Sequence, residues 1–360
     1  MSLTDNKKKL LVWGIVSGLA AVMLALSGNP KNMAICIACF IRDIAGSVGL
    51  HKAAVVQYFR PEIVGIVLGA MILALINKEF KVVGGSSPII RFFLGMIMII
   101  GALVFLGCPT RMVIRMAAGD IPAWIGLIGF IGGVVTGSYF IRQGFSLGRS
   151  HKQPEAGGYV VPLLLVVGLI IAAFTTVLFA SESGPGSMYA PLLISLIGGL
   201  VFGAIAQKTR MCFGGMFRDI ALLKNFNLFS IVFGFFLTML VYNIVTKNFS
   251  FQMNGNPIAH AQHLWNILGL YIVGFAAVLL GGCPLRQLIL MGQGNTDSAI
   301  TFVGMLLGAG LAHRASLASA AQTTEAAGGP GLNGKIATIV CIVILFAVAV
   351  WKSQRKVKYD

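Results

Sequence analysis

The sequence predicts an all-α fold: a polytopic integral membrane protein made of two inverted-topology repeats, with paired half-helices around a central pathway. Three observations carry this expectation. Of the 360 residues, 57% are hydrophobic and only 11% are charged, and a soluble chain of this size needs far more charge to cover its surface. Ten windows are apolar over the roughly 20 residues that a helix needs to cross a hydrocarbon core about 30 Å thick. Two groups of uncommon residues also recur, in the same order, in the two halves of the chain.

The windows are 10–28, 61–77, 91–107, 121–140, 159–180, 189–206, 227–246, 264–281, 296–313 and 334–351. The 45 glycines suit close helix packing in lipid. Residues 10–28 follow a basic start, but no small-residue cleavage site comes after them, so they read as a retained first span. The net charge of +16 would suit a nucleic acid or an anionic surface. Its placement points instead to a membrane topology. Lys7, Lys8, Lys9, Lys78, Lys81, Arg91, Arg142, Arg149, Lys152, Lys208, Arg210, Lys352, Arg355, Lys356 and Lys358 lie between spans or in the tails. With ten crossings these loops share one side, the positive-inside pattern, with both termini in the cytoplasm of a bacterial-type inner membrane. The 181–188 and 247–263 connections hold Lys247 as their one basic Lys or Arg, as expected of the outer face. The 46–60 and 314–333 connections fit less well, because they carry Lys52, Arg60 and Arg314.

The repeat is read from particular residues. Cys36, Arg42, Asp43, Ile44 and Ala45 match Cys212, Arg218, Asp219, Ile220 and Ala221. Gly107-Cys108-Pro109-x-Arg111 matches Gly282-Cys283-Pro284-x-Arg286, and Gly119, Gly129 and Gly133 match Gly294, Gly304 and Gly308. Apolar bias yields chance identities of Leu and Ile, not Cys, Pro, Arg and Gly in register. Each repeat holds four spans, and the single crossing at 159–180 turns the second repeat over. The expected organisation is a first membrane repeat over 1–140 and a cytoplasmic linker with a connecting transmembrane helix over 141–188. The second, inverted repeat follows over 189–313, then an outer loop, an extra transmembrane helix and a basic cytoplasmic tail over 314–360.

Residues 33–45 and 210–224 are too short and polar to cross, so they read as half-helices, with a second pair starting at Pro109 and Pro284. Such backbone is tolerated at membrane depth only where protein buries it or water reaches it. The Gly129/Gly133/Gly137 and Gly304/Gly308/Ala312 ridges read as packing faces alone. Proline suits the first turn of a helix, where its missing N–H is no loss. Cys108 and Cys283 would then sit at helix N-termini, among free N–H groups that attract anions. Arg42, Arg111, Arg218 and Arg286 are the repeated cations. Arg42 and Arg218 have an aspartate next door and either pair with it, snorkel to the interface or face the pathway. Arg111 and Arg286 have no nearby acid and are the better anion partners. Arg115 is not duplicated and reads as snorkelling to the interface. Thiols are weak, soft donors and acceptors, so Cys36, Cys108, Cys212 and Cys283 would line a pathway suited to sulfur or selenium rather than a hard oxyanion.

Cys36-x-x-Cys39 alone could suggest a metal, but position 215 is Gly in the other repeat and no His is near, so no metal site is expected. Cys341 reads as packing. The five histidines form no evident site. No catalytic triad, paired carboxylates or phosphate loop is present, so neither an enzyme nor an ATP-driven engine is expected. No cofactor and no nucleic-acid partner is expected.

Arg210-Met-Cys212-Phe-Gly-Gly-Met-Phe217-Arg218-Asp219 and Gly281-Gly282-Cys283, with Gly107-Cys108 as the first-half copy, resemble the signatures of the YeeE/YedE family of sulfur transporters. The likeness covers roughly 10–313 and leaves the last span outside. The resemblance implies a compact fold with a narrow pathway and thiosulfate uptake, with Cys36, Cys108, Cys212 and Cys283 handing the anion along. It also implies a small cytoplasmic thiol-bearing sulfurtransferase as a partner. Pro109, Pro284, Arg111 and Arg286 depart from the common family pattern and look like the YedE-type branch associated with selenium transport. The function expected is import of a small sulfur- or selenium-containing anion. The alternative is a membrane transferase carrying a persulfide or selenosulfide on cysteine.

Overall fold

The computed structural model describes residues 3–354, so the basic tail at Arg355, Lys356 and Lys358 lies outside the described residues. In chain order the elements are α1 (Leu3–Leu26), α2 (Ile37–Ser47), α3 (Pro61–Ile76), β1 (Val83–Gly84), α4 (Pro88–Phe105), α5 (Pro109–Ala117), α6 (Ile121–Arg142), β2 (His151–Lys152), α7 (Ala156–Phe174), α8 (Leu192–Thr209), α9 (Phe213–Leu223), α10 (Asn227–Val245), α11 (His263–Leu280), α12 (Pro284–Gly292), α13 (Thr296–Arg314) and α14 (Leu332–Gln354). Each of the ten apolar windows corresponds to one long helix. Among the described residues, eight stretches are long and apolar enough to cross a membrane. The other two windows are α3, which has 16 residues, and α13, which carries Asp297.

The ends of α3 and α13 show that they run the full depth of the protein. The connections gather on two opposite faces. On one, the β1 loop pairs with β2, Arg210 bridges Glu79, and Asp297 accepts the backbone N–H groups of Gly85 and Ser86. On the other, Lys31 reaches Asn248, Arg60 reaches the carbonyls of Pro185 and Met188, and Arg314 reaches Leu50. The first face holds Lys78, Lys81, Lys152 and Lys208 and is the basic one. Helix α3 begins at Arg60 on the second face and ends beside Lys78 on the first. Helix α13 begins at Asp297 on the first and ends at Arg314 on the second. Two of the three cations that sat awkwardly in the sequence, Arg60 and Arg314, have partners on this face. Arg60 is fully buried and pairs with Asp43 at 2.8 Å, and Arg314 donates to a loop carbonyl.

The long helices pack in matched pairs: α1 on α10 and α8 on α3, then α4 on α13 and α11 on α6, with α4 against α11 at the centre. Exchanging each element of the first half for its counterpart in the second reproduces this set. Glycine makes the close approach possible. A Cβ at Gly129 or Gly133 would collide with the carbonyls of Ile267 or Tyr271, and one at Gly304 with that of Phe92. The packing role read for these ridges is therefore correct. Helix α7 lies against α3, α12 and α13 with an otherwise exposed apolar face, and α14 packs on α4, α6 and α11.

Candidate functional site

Four half-helices, α2, α5, α9 and α12, form the middle of the molecule. The chain enters through the buried turn Met33-Ala34-Ile35, and α2 then runs back to the second face. Helix α5 ends at the same face, where Gly119 turns the chain at φ +87°. Helices α9 and α12 end on the basic face, and Gly294 makes the matching turn at φ +96°. So the four N-termini point inward and the four C-termini outward.

A cysteine occupies the N-cap of each. Cys36 caps α2 and accepts the N–H of Cys39 at 3.4 Å, and Cys212 caps α9 and accepts the N–H of Gly215 at 3.1 Å. Cys108 and Cys283 cap α5 and α12, each followed by proline at the first helical position. The helix termini bring the thiols together in twos: Cys36 and Cys108 lie 3.9 Å apart, Cys212 and Cys283 3.7 Å apart. All four are buried and free. The structure thus groups the four thiols as two pairs, one per half. The pairs are joined through packing, since α2 touches α12 and α5 touches α9.

The glycine of each Gly-Cys-Pro-x-Arg motif is explained by its arginine, which folds back over it. A Cβ at Gly107 would come within 2.7 Å of the Arg111 side chain, and one at Gly282 within 2.6 Å of that of Arg286. The two arginines then differ. Arg111 is fully buried and held by the carbonyls of Asn32 at 3.1 Å, Ile258 at 3.0 Å and Leu106, and it lies 3.6 Å from the Cys39 sulfur. Arg286 has no acid or carbonyl partner among the described residues, and its Nη1 is buried without a hydrogen bond. Cys212, Cys283, Arg210 and Arg218 are its electrostatic neighbours.

Arg42 and Arg218 take the local option that the sequence left open. Arg42 pairs with Asp43 at 2.7 Å and Arg218 with Asp219 at 2.8 Å. Arg115 does not snorkel. It is fully buried, pairs with Asp120 at 2.5 Å and lies over the Phe105 ring at 4.4 Å. Snorkelling would have left Asp120 as a lone buried charge, which is the costlier arrangement. His51 and His313 stand with ring centroids 4.5 Å apart beside the Arg42 backbone, a contact the sequence did not suggest. A polar recess of about 380 Å³ opens on the second face, lined by Lys31, Asn32, Asn248, Gln252, Asn256 and Ile258. Asn32 and Ile258 belong both to this recess and to the cradle of Arg111. Among the described residues, no three His, Cys, Asp or Glu side chains gather as a metal site.

This fold and site define a class: a polytopic, all-α membrane protein whose half-helix N-termini carry buried thiols. Residues 208–360 match a family described as sulphur transport. Over 113 residues the chain is 34% identical to the thiosulfate transporter TsuA of Spirochaeta thermophila, a stretch covering 31% of this chain and 33% of that relative. The matched part thus spans about a third of the relative's length. The matched stretch includes the Arg210–Asp219 and Gly281-Gly282-Cys283 motifs that resemble the YeeE/YedE signatures. The last span, which the sequence reading left outside the likeness, falls inside the match.

Proposed function

We propose that this protein imports a small anion with a terminal sulfur or selenium atom, passing it between the two thiol pairs. One observation carries the reading: a buried, unpartnered arginine nitrogen beside two thiols at helix N-termini. Burying a cationic nitrogen without a partner is costly even on a half-buried side chain, and an anion offsets it. Inward-pointing helix N-termini add further N–H groups and the positive ends of four dipoles. Thiols complete the site with soft contacts that a sulfur or selenium atom accepts.

The exchangeable helix pairings support two repeats related by a two-fold axis, the second inverted with respect to the first. The basic face is the cytoplasmic one by the positive-inside rule, with both termini there and the recess at Lys31 opening outward. On this reading the anion enters at the recess, passes Arg111 to Cys36 and Cys108, and reaches Cys212, Cys283 and Arg286 on the inner side. A small cytoplasmic thiol-bearing sulfurtransferase would receive it. The Pro109 and Pro284 variants extend the proposal to selenium species of similar size.

The test is uptake by cells lacking their own sulfur and selenium importers and expressing this chain. Thiosulfate, selenite and sulfate are supplied in parallel. Accumulation of thiosulfate or selenite, lost in Cys283→Ala, is expected. Uptake that survives both Cys108→Ala and Cys283→Ala would overturn the thiol pathway.

A further inference from the structure

The first half carries a third thiol with no counterpart in the second. Cys39 occupies the third position of α2, and its sulfur lies 2.9 Å from that of Cys36, the N-cap of the same helix. Position 215 holds glycine, and a side chain there would press on Leu228 at 3.0 Å and Cys212 at 3.1 Å. The dithiol is therefore confined to one end of the molecule. That end opens to the outer recess on the reading proposed above, on which this inference rests for access.

We propose that Cys36 and Cys39 are a modification site: a vicinal dithiol that closes reversibly to a disulfide when a small peroxide enters the outer half of the pathway. The helix supplies the geometry. A cap and its third residue share one side of the first turn, so the two sulfurs already meet without backbone movement. Cys39 also faces the Arg111 guanidinium at 3.6 Å and accepts the Cys36 thiol. The outer side of a bacterial inner membrane is the oxidising compartment, where disulfides persist. The step balances. The Cys39 sulfur attacks one oxygen of hydrogen peroxide, the O–O bond breaks, and the departing hydroxide takes the thiol proton to leave as water. The Cys36 sulfur then displaces the hydroxyl of the sulfenic acid, forming S–S and a second water. Two thiols lose two electrons, and one peroxide is reduced to two waters. A small dithiol reverses the reaction by exchange. Closure ties the Cys36 thiol, which the pathway uses, to the Cys39 sulfur, which it does not use, so passage stops.

The full chain in native membranes is treated with hydrogen peroxide, denatured, and alkylated. Of its six cysteines, two should become resistant, and peptide mapping should join position 36 to 39. Dithiothreitol should return both. Cys39→Ser and Cys39→Ala should lose no further alkylatable thiol. Anion uptake by the wild type should be lost on oxidation and regained with dithiothreitol, while Cys39→Ser keeps its uptake through the treatment. Six reactive thiols after peroxide, or a link from Cys36 to Cys108, would overturn the proposal. The alkylation count reads the disulfide whether or not uptake is seen. Failure of the untreated wild type to take up any anion therefore counts against the transport reading alone.

Discussion

At the scale of single residues, the arginines of the two Gly-Cys-Pro-x-Arg motifs, Arg111 and Arg286, occupy like positions and do different work. Arg111 satisfies three backbone carbonyls, of Asn32, Ile258 and Leu106, and the bond to Leu106 is buried. Arg111→Gln should destabilise the protein by about 3 kcal/mol, since each buried acceptor left unpaired costs roughly 1–3 kcal/mol. Thermal unfolding in detergent would show it. Arg286 holds nothing in place, so Arg286→Gln should fold normally and act on cargo instead. A charge-assisted hydrogen bond is worth about 1.5–3 kcal/mol, so anion affinity should fall roughly ten- to a hundredfold. Competition binding with thiosulfate on the purified variant reads this. Equal melting losses in the two variants would contradict the division of roles. Both arginines were legible from the doubled motif. Their difference was not, because the partners of Arg111 are backbone carbonyls, which carry no residue signature.

At the scale of elements, the tight helix pairs depend on glycines whose missing Cβ admits a neighbouring backbone. Gly304→Ala places a methyl against the Phe92 carbonyl of the facing helix. Overpacking of this kind costs about 1–3 kcal/mol, and a melting curve for the variant should shift down accordingly. The connection before α11 is anchored by His260, which is fully buried and donates from Nε2 to the Val104 carbonyl at 2.8 Å. Burial, more than any neighbour, pushes its pKa down from 6.5 to about 4. The unfolded chain therefore binds the proton first, so the stability conferred by neutral His260 is intact above pH 6.5 and is lost as pH falls toward 4. By pH 5 the loss should be about 2 kcal/mol. Melting at pH 7.5 and pH 5 should differ less in His260→Gln than in the wild type. Equal pH sensitivity would show that the loop anchor lies elsewhere. The ridge glycines were visible as a spacing. The histidine was not, because nothing near residue 260 in the chain announces the end of α4.

At the scale of the whole molecule, the two faces make the topology testable. Reporter fusions at residue 150 and at the C-terminus should both report cytoplasm, and one at residue 254 the outer side. Opposite results at the first and last positions would remove the even number of crossings on which the inversion rests.

The sequence by itself determined the helices. Ten apolar windows became ten long helices, with ends shifted by up to 7 residues, because length and hydropathy are local properties set by the bilayer. It also located the half-helices, through Cys-Pro at α5 and α12 and the paired Arg-Asp of α2 and α9. Tertiary structure decided what those pieces do to one another. Thiols separated by some 70 positions meet in twos, Arg60 crosses to Asp43, Asp120 captures Arg115, and one arginine of a matched pair keeps a buried nitrogen without a hydrogen bond among the described residues. The physical reason is that a buried charge is settled by whichever donor or acceptor the fold brings within about 3 Å. That neighbour is chosen by packing between helices distant in the chain, which no local pattern records.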